Sequence, residues 1–334
     1  MDPLTHLLAS YTVARGARAR MASPEMATFL LAGMAPDVDW LWHLPEPLSP
    51  LRAYGTVTHS LAGAAVLATA IGVGVWSASR KRPSAAPFIR LLAAALISAG
   101  MHLLLDLCGN TGIELYWPFR AGRISWNIAS SFDVVLIAIL SLCALLPVVF
   151  RLVTEEIGAQ ADPRPPRGWP ATALALALLY FGARARLHAR AEVLLGQAEY
   201  NGKPAIHWAA FASGSSPFTW RGVVETDSFL AEVKVPVGSR AAFAPESAIL
   251  QYKPEPSALV DAAAGTPVAR AYTALARFPL LKLETRADGS RAELREMGDS
   301  ALRDRYGTWR AEIDLDAQSK VTHEELRYDA ALSR

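Results

Sequence analysis

The sequence predicts a mainly α polytopic membrane domain, residues 1–190, followed by a smaller β-rich soluble domain, residues 191–334. The first is read as about four transmembrane helices plus a half-buried N-terminal helical region. Three observations carry this reading. Hydrophobic residues make up 52% of the 334 and mean hydropathy is +0.20, which excludes an intrinsically disordered chain. Charge is unevenly divided: residues 1–190 hold only 11 of the 31 Asp and Glu and 16 of the 33 Lys and Arg. Runs apolar enough to enter a bilayer occur only in that first part, and strand-and-turn patterns only in the second.

At the start of the chain, Asp2-Pro3 reads as an N-cap followed by proline at the first helical position. Residues 1–20 lack the basic start and apolar centre of a secretory signal. Met26 to Pro36 is apolar but too short to span, so a re-entrant or half-buried helix ended by Pro36 is expected. Val57 to Trp76 matches the roughly 20 residues needed to cross a bilayer. Pro87 to Leu105, Val134 to Phe150 and Gly168 to Ala183 are the second, third and fourth expected spans. Arg80 to Pro83 and the Pro-rich Ala159 to Arg167 are linkers. From about Gly202 the chain reads as strands. One hairpin is expected over Leu280–Arg295 with Asp288-Gly289 in its turn, and another over Trp309–Tyr328 turning near Asp316–Lys320.

The chemistry-bearing residues of the carboxylate-poor half follow a pattern. Six acids precede residue 110, together with four histidines, His6, His43, His59 and His102. Acids and histidines beside apolar helices are costly to bury unless they pair or bind a metal. Asp2 and His6, and His102 and Asp106, stand four apart and share a helix face. Asp37 and Asp39 stand two apart, which on an extended segment points both to one side. Threading the spans alternately puts His6, Asp37, Asp39, His59, His102, Asp106 and Asp133 at one membrane face. Three imidazoles with two or three carboxylates suit Zn²⁺, or Mn²⁺ in a more oxygen-rich shell, with one or two ions. The expected ligands are His6, Asp37, Asp39, His59, His102 and Asp106, with Asp37 or Asp39 as a general base if not coordinated. Asp2, Asn110, Thr111, Glu114, Arg120, Arg123 and Asp133 are expected to orient ligands or contact substrate, the two arginines through a phosphate, a carboxylate or lipid head groups. His43 reads as interfacial beside Trp40 and Trp42, and Cys108 and Cys143, the two cysteines, as buried small hydrophobes. The net charge of +2 gives no reason to expect nucleic acid.

Met1–His6, Ala35-Pro-Asp-Val-Asp39, Thr58-His-Ser60, His102-Leu-Leu-Leu-Asp106, Asn110-Thr-Gly112, Trp117-Pro-Phe119 and Ile124-Ser-Trp-Asn127 together resemble the bacterial membrane-bound metal-dependent hydrolases of the YdjM/YbcI type. The resemblance covers roughly residues 1–190, and Ser216–Glu225 is similar to the C-terminal part of the longer members. The order of His and Asp is also similar, more weakly, to zinc-dependent phospholipase C. The resemblance implies a hydrolase in the bacterial inner membrane, and the phospholipase likeness suggests a lipid or phosphoester substrate. Two other readings stand beside it: a membrane anchor with a structural metal, and a metal or proton transporter. Sidedness stays open, because Arg80–Arg82 and the arginines at 15, 18, 20, 184, 186 and 190 favour opposite orientations.

Overall fold

The computed structural model describes residues 1–17, 23–43, 56–81, 86–120, 122–156, 168–214, 216–238, 242–286, 289–299 and 307–330. Of the expected features, Arg18, Arg20, Arg82, Pro83, residues 159–167 and Asp288 lie outside this set, as do the side chains of His43 and Cys143. The described residues form two units, one within Met1–Ala185 and one within Arg186–Arg334.

The first unit is helical. Its elements are α1 (Pro3–Gly16), α2 (Pro24–Met34), a 3-10 helix (Ala35–His43), α3 (Leu61–Ser79), α4 (Phe88–Cys108) and α5 (Val134–Glu156). Helix α6 (Trp169–Gln197) follows, and the division between the units falls within it. Local chemistry sets the starts. Asp2, Ser23 and Ser60 each accept a backbone N–H of the first turn, and Pro3 and Pro24 occupy initial positions where a missing N–H costs nothing. Asp133 does the same for α5, with Oδ1 accepting from Val135 N and Leu136 N at 3.1 Å.

Small residues let the helices approach closely. Ala64, Ala68, Ala95 and Ala99 are buried together between α3 and α4. Gly33 of α2 faces Ser10 of α1, and Ser98 Oγ of α4 donates to Phe29 O at 2.6 Å, which joins three helices at one point. The outward faces are apolar: Val66, Leu142, Leu145, Val149 and Phe150 are exposed. Such surfaces need lipid rather than water around them.

Three helices among the described residues are long and apolar enough to cross a membrane: Leu61–Ser79, Phe88–Cys108 and Val134–Glu156. The expected fourth, Gly168–Ala183, is not among them. Its helix continues through Arg184, Arg186 and Arg190, so the apolar stretch is too short. Met26–Pro36 resolves into α2 and the start of the 3-10 helix, with the break at Met34 rather than at Pro36.

The second unit is β-rich. The first of its two larger sheets has the antiparallel order β3 (His207–Ala212), β4 (Thr219–Glu225), β5 (Phe229–Pro236), β6 (Ile249–Tyr252). A short hairpin, β1 (Glu199–Tyr200) with β2 (Lys203–Pro204), precedes it. Ala191 and Leu195 of α6 pack on one face of this sheet with Trp220, Val224 and Val233. Phe278 and Leu280 pack on the other with Phe211, Val223 and Leu230. The second sheet has the order β10 (Val321–Ala330), β9 (Gly307–Asp316), β8 (Gly289–Glu296), β7 (Pro279–Arg286). It is covered by α7 (Ala258–Ala264) and α8 (Pro267–Leu275) through Ala263, Ala269 and Tyr272. Both expected hairpins form: β7 pairs with β8 as far as Arg286 opposite Gly289, and β9 with β10.

Candidate metal centre

Four chain segments meet where α3 begins and α4 ends. The first turn of α1 brings His6, the 3-10 helix brings Asp37 and Asp39, the turn before α3 brings His59, and the last turns of α4 bring His102 and Asp106. Three of these lie in one group with His6, His102 and Asp106, and three in a second with Asp37, His59 and His102. Within each, the donor atoms lie within 4.8 Å of one another. His102 belongs to both, so the groups are contiguous.

Asp106 is central. Its Oδ1 lies 3.2 Å from His6 Nε2, and its Oδ2 lies 3.3 Å from His59 Nε2 and 3.1 Å from His102 Nε2. The α-amino group of Met1 also lies against Oδ1. Asp37 Oδ1 stands 3.6 Å from both His59 Nε2 and His102 Nε2. The rings of His6 and His102 stack with centroids 3.7 Å apart. His6, Asp39, His59, His102 and Asp106 are buried, whereas the Asp37 side chain keeps 22% exposure and marks the open edge.

The hydrogen bonds behind the cluster fix which ring nitrogens face it. His102 Nδ1 lies 2.7 Å from Gly33 O, and a carbonyl only accepts, so Nδ1 carries the proton. His59 Nδ1 lies 3.0 Å from Asp39 Oδ2, which also accepts from Thr58 Oγ1 at 2.9 Å. Both rings therefore turn Nε2 inward, and these two atoms are 3.2 Å apart. The site is rich in acceptors crowded together, with the Met1 α-amino group as a donor beside Asp106. His6 Nδ1 and Nε2, Asp37 Oδ2 and Asp106 Oδ2 are buried without a hydrogen-bond partner. A cation or an added proton has to relieve that repulsion, and the donor set suits a divalent metal.

Outside the membrane-spanning helices the electrostatics set His6 and His59 apart. Burial, reinforced by the neighbouring His102, pushes His6 down to about 4, so it stays neutral. Burial also opposes a charge on His59, but hydrogen bonds to Asp106, Asp37 and Asp39 outweigh it and hold this imidazole well above its ordinary range. Burial pushes Asp37 up, but the hydrogen bond to His59 and the neighbouring imidazoles outweigh it and hold the carboxyl below its usual value.

The structure thus brings together His6, Asp37, Asp39, His59, His102 and Asp106. It corrects the expected geometry of Asp37 and Asp39. They lie on a 3-10 helix rather than an extended segment, so their side chains diverge to opposite nitrogens of His59. The remaining expected residues stand outside both groups. Asp2 caps α1 through Thr5 N at 3.0 Å. Asp133 caps α5 and accepts from Tyr180 Oη at 2.8 and 2.7 Å. Asn110 is buried in the loop after α4, where its carbonyl accepts from Ser125 Oγ at 3.2 Å. Thr111 and Glu114 are half-buried, Arg123 donates to Gly112 O at 2.9 Å, and Arg120 is exposed. Two contributors escaped sequence reasoning: Gly33, which acts through its carbonyl, and Thr58, which steadies Asp39.

A helical domain with three potential membrane spans and a buried His/Asp cluster able to hold a metal ion defines a membrane protein with a candidate metal centre. The family model described as YdjM inner membrane protein matches residues 1–191, and the chain belongs to that family. No curated protein and no solved structure matches it. The phospholipase C likeness rests on its short motifs alone and finds no support in these comparisons. The β-rich second unit lies almost wholly outside the matched residues.

Proposed function

We propose that this chain is a multi-pass protein of the bacterial inner membrane and a metal-dependent hydrolase of an ester or phosphoester at the bilayer surface. The observation that carries the proposal is the convergence of ligand atoms: Nε2 of His59 and Nε2 of His102 lie 3.2 Å apart beside the carboxylates of Asp37 and Asp106. His6, Asp37, His59, His102 and Asp106 are the residues that would hold the ion, zinc in first place, and the two contiguous groups leave room for one or two. When bound, such an ion would supply Lewis acidity, which lowers the pKa of water and polarises an ester or phosphoryl oxygen. Asp39 and Gly33 hold the two imidazoles in the required tautomers. Asp37, whose side chain keeps 22% exposure, would take a proton from water as general base where it does not itself coordinate the ion.

A second reading is a structural metal in a membrane anchor, favoured by how deeply five of the six residues are buried. Elemental mass spectrometry of the detergent-purified chain tests the shared premise. One or two equivalents of zinc or manganese, lost in His59→Ala and His102→Ala, support a metal centre. Hydrolysis of a lipid or nitrophenyl phosphoester by the loaded chain, abolished in Asp37→Asn with metal retained, then selects the hydrolase. Metal without turnover across such a panel selects the anchor, and a folded, metal-supplemented chain free of metal overturns both.

A further inference from the structure

The loop between α4 and α5 is folded onto the helix ends. Trp126 N donates to Leu107 O at 2.7 Å, Ile128 N to Cys108 O at 3.0 Å, and Leu61 N to Leu115 O at 3.0 Å. Ile113 and Ile124 pair across it as a short antiparallel bridge. Its base is therefore pinned where α3 begins, α4 ends and α5 begins, which is one end of all three potential spans. Its outer side carries aromatic residues: Phe119 is 90% exposed, and Tyr116, Trp126 and Phe132 are each about half exposed. Arg120 stands exposed beside Phe119. Between Glu114 and Asp133 the loop has two arginines and no acid.

Several aromatic side chains held outward on a pinned loop are unfavourable in water, and arginine beside them suits neither a lipid interior nor an apolar protein groove. The headgroup layer accepts both: amphipathic rings settle at its depth, and arginine meets lipid phosphates. We propose that this loop is a bilayer-contact surface that seats in the headgroup layer of an anionic membrane, with Phe119 inserted and Arg120 on lipid phosphate. The surface stands apart from the hydrolase reading, since it requires neither metal nor turnover. With both in place, the open edge of the cluster works at headgroup depth and the substrate class is an amphiphile.

The test places a nitroxide at Phe119→Cys in the full chain carrying Cys108→Ala and Cys143→Ala, reconstituted in phosphatidylcholine bilayers with and without phosphatidylglycerol. Collision with oxygen is compared with collision with a water-soluble nickel chelate, and Val66→Cys, on the exposed face of α3, serves as the lipid reference. The expected result is a ratio shifted towards oxygen, a larger shift with phosphatidylglycerol, and loss of that increment in Arg120→Gln. A ratio favouring the nickel chelate in every bilayer overturns the proposal. So does a label shielded from both reagents, which means that protein covers the loop. Trp126→Cys repeats the measurement if the first variant does not fold.

Discussion

Asp39 Oδ2 lies 3.0 Å from Nδ1 of His59, on the side of the ring away from Asp37 and Asp106. That relationship separates two carboxylates that the Asp37-Val38-Asp39 spacing makes look equivalent. In the proposed reading Asp39, expected from the sequence as a ligand, stands outside both ligand groups and acts as a positioning residue. It fixes the His59 tautomer and raises the basicity of the nitrogen that faces the cluster. Thr58 completes the arrangement by donating to the same oxygen at 2.9 Å.

Asp39→Asn is therefore expected to keep the metal stoichiometry but weaken affinity by about 10- to 100-fold. Titration against a competing chelator reads this directly. Equal loss of stoichiometry in Asp39→Asn and His59→Ala makes Asp39 a ligand instead.

Metal affinity is expected to rise with pH. The neighbouring carboxylates hold a proton on His59 in the metal-free chain, and a metal has to displace it. The sign for stability is opposite. A folded-state pKa above the ordinary 6.5 contributes stability that is fully present below that value and lost as pH rises through the raised one. His6, depressed to about 4, acts in the other direction but only below 6.5, where the unfolded chain takes up its proton. Above pH 6.5 the chelator-treated chain should lose thermal stability with rising pH, while the stabilisation conferred by added zinc grows. Melting curves with and without metal across that range check both slopes.

Helix starts and the membrane character of the first half were legible because they are local. Asp2-Pro3 announces a cap, and an uninterrupted apolar run such as Val57–Trp76 has few alternatives. The histidines and aspartates were legible because a charge-poor half makes each polar residue conspicuous. What was hidden depends on backbone path. The 3-10 turn that splits Asp37 from Asp39 has no signature in the spacing, and a carbonyl such as that of Gly33 belongs to every residue type. The expected fourth span is not among the three candidates of the described residues, because the apolar stretch from Gly168 runs directly into three arginines on the same helix.

In the second unit, Glu296 is buried and accepts from three backbone N–H groups, those of Arg277 at 2.7 Å, Phe278 at 3.0 Å and Gly298 at 2.6 Å. Glu296→Ala leaves all three without that acceptor and is expected to cost roughly 3 kcal/mol or more. Glu296→Gln, which keeps one accepting oxygen, should cost less. Denaturant unfolding of the full chain followed by tryptophan fluorescence ranks the two, and Trp220 in the adjoining sheet is a suitable reporter. Equal stability of all three chains removes Glu296 from the framework of this unit.

Gly33 joins the fold to the site. A Cβ built there would stand 1.8 Å from Ser10 Oγ and 2.8 Å from both Ser10 Cβ and Ser98 Oγ, distances at which something must shift. These are short side chains on packed helices, with Ser98 already committed to Phe29 O, so they have little freedom to retreat. Gly33→Ala should push α1 from α2 and cost about 1–3 kcal/mol, in the range of overpacked cores. The same displacement moves the carbonyl that holds His102 Nδ1, so metal affinity should fall together with thermal stability. Ser10→Gly in the same chain removes the closest obstacle, and recovery of both properties identifies the clash as their common cause. Recovery of stability with affinity still depressed would instead place the defect in the carbonyl itself. A Gly33→Ala chain equal to wild type in melting temperature and metal content would show that the α1–α2 contact carries neither load.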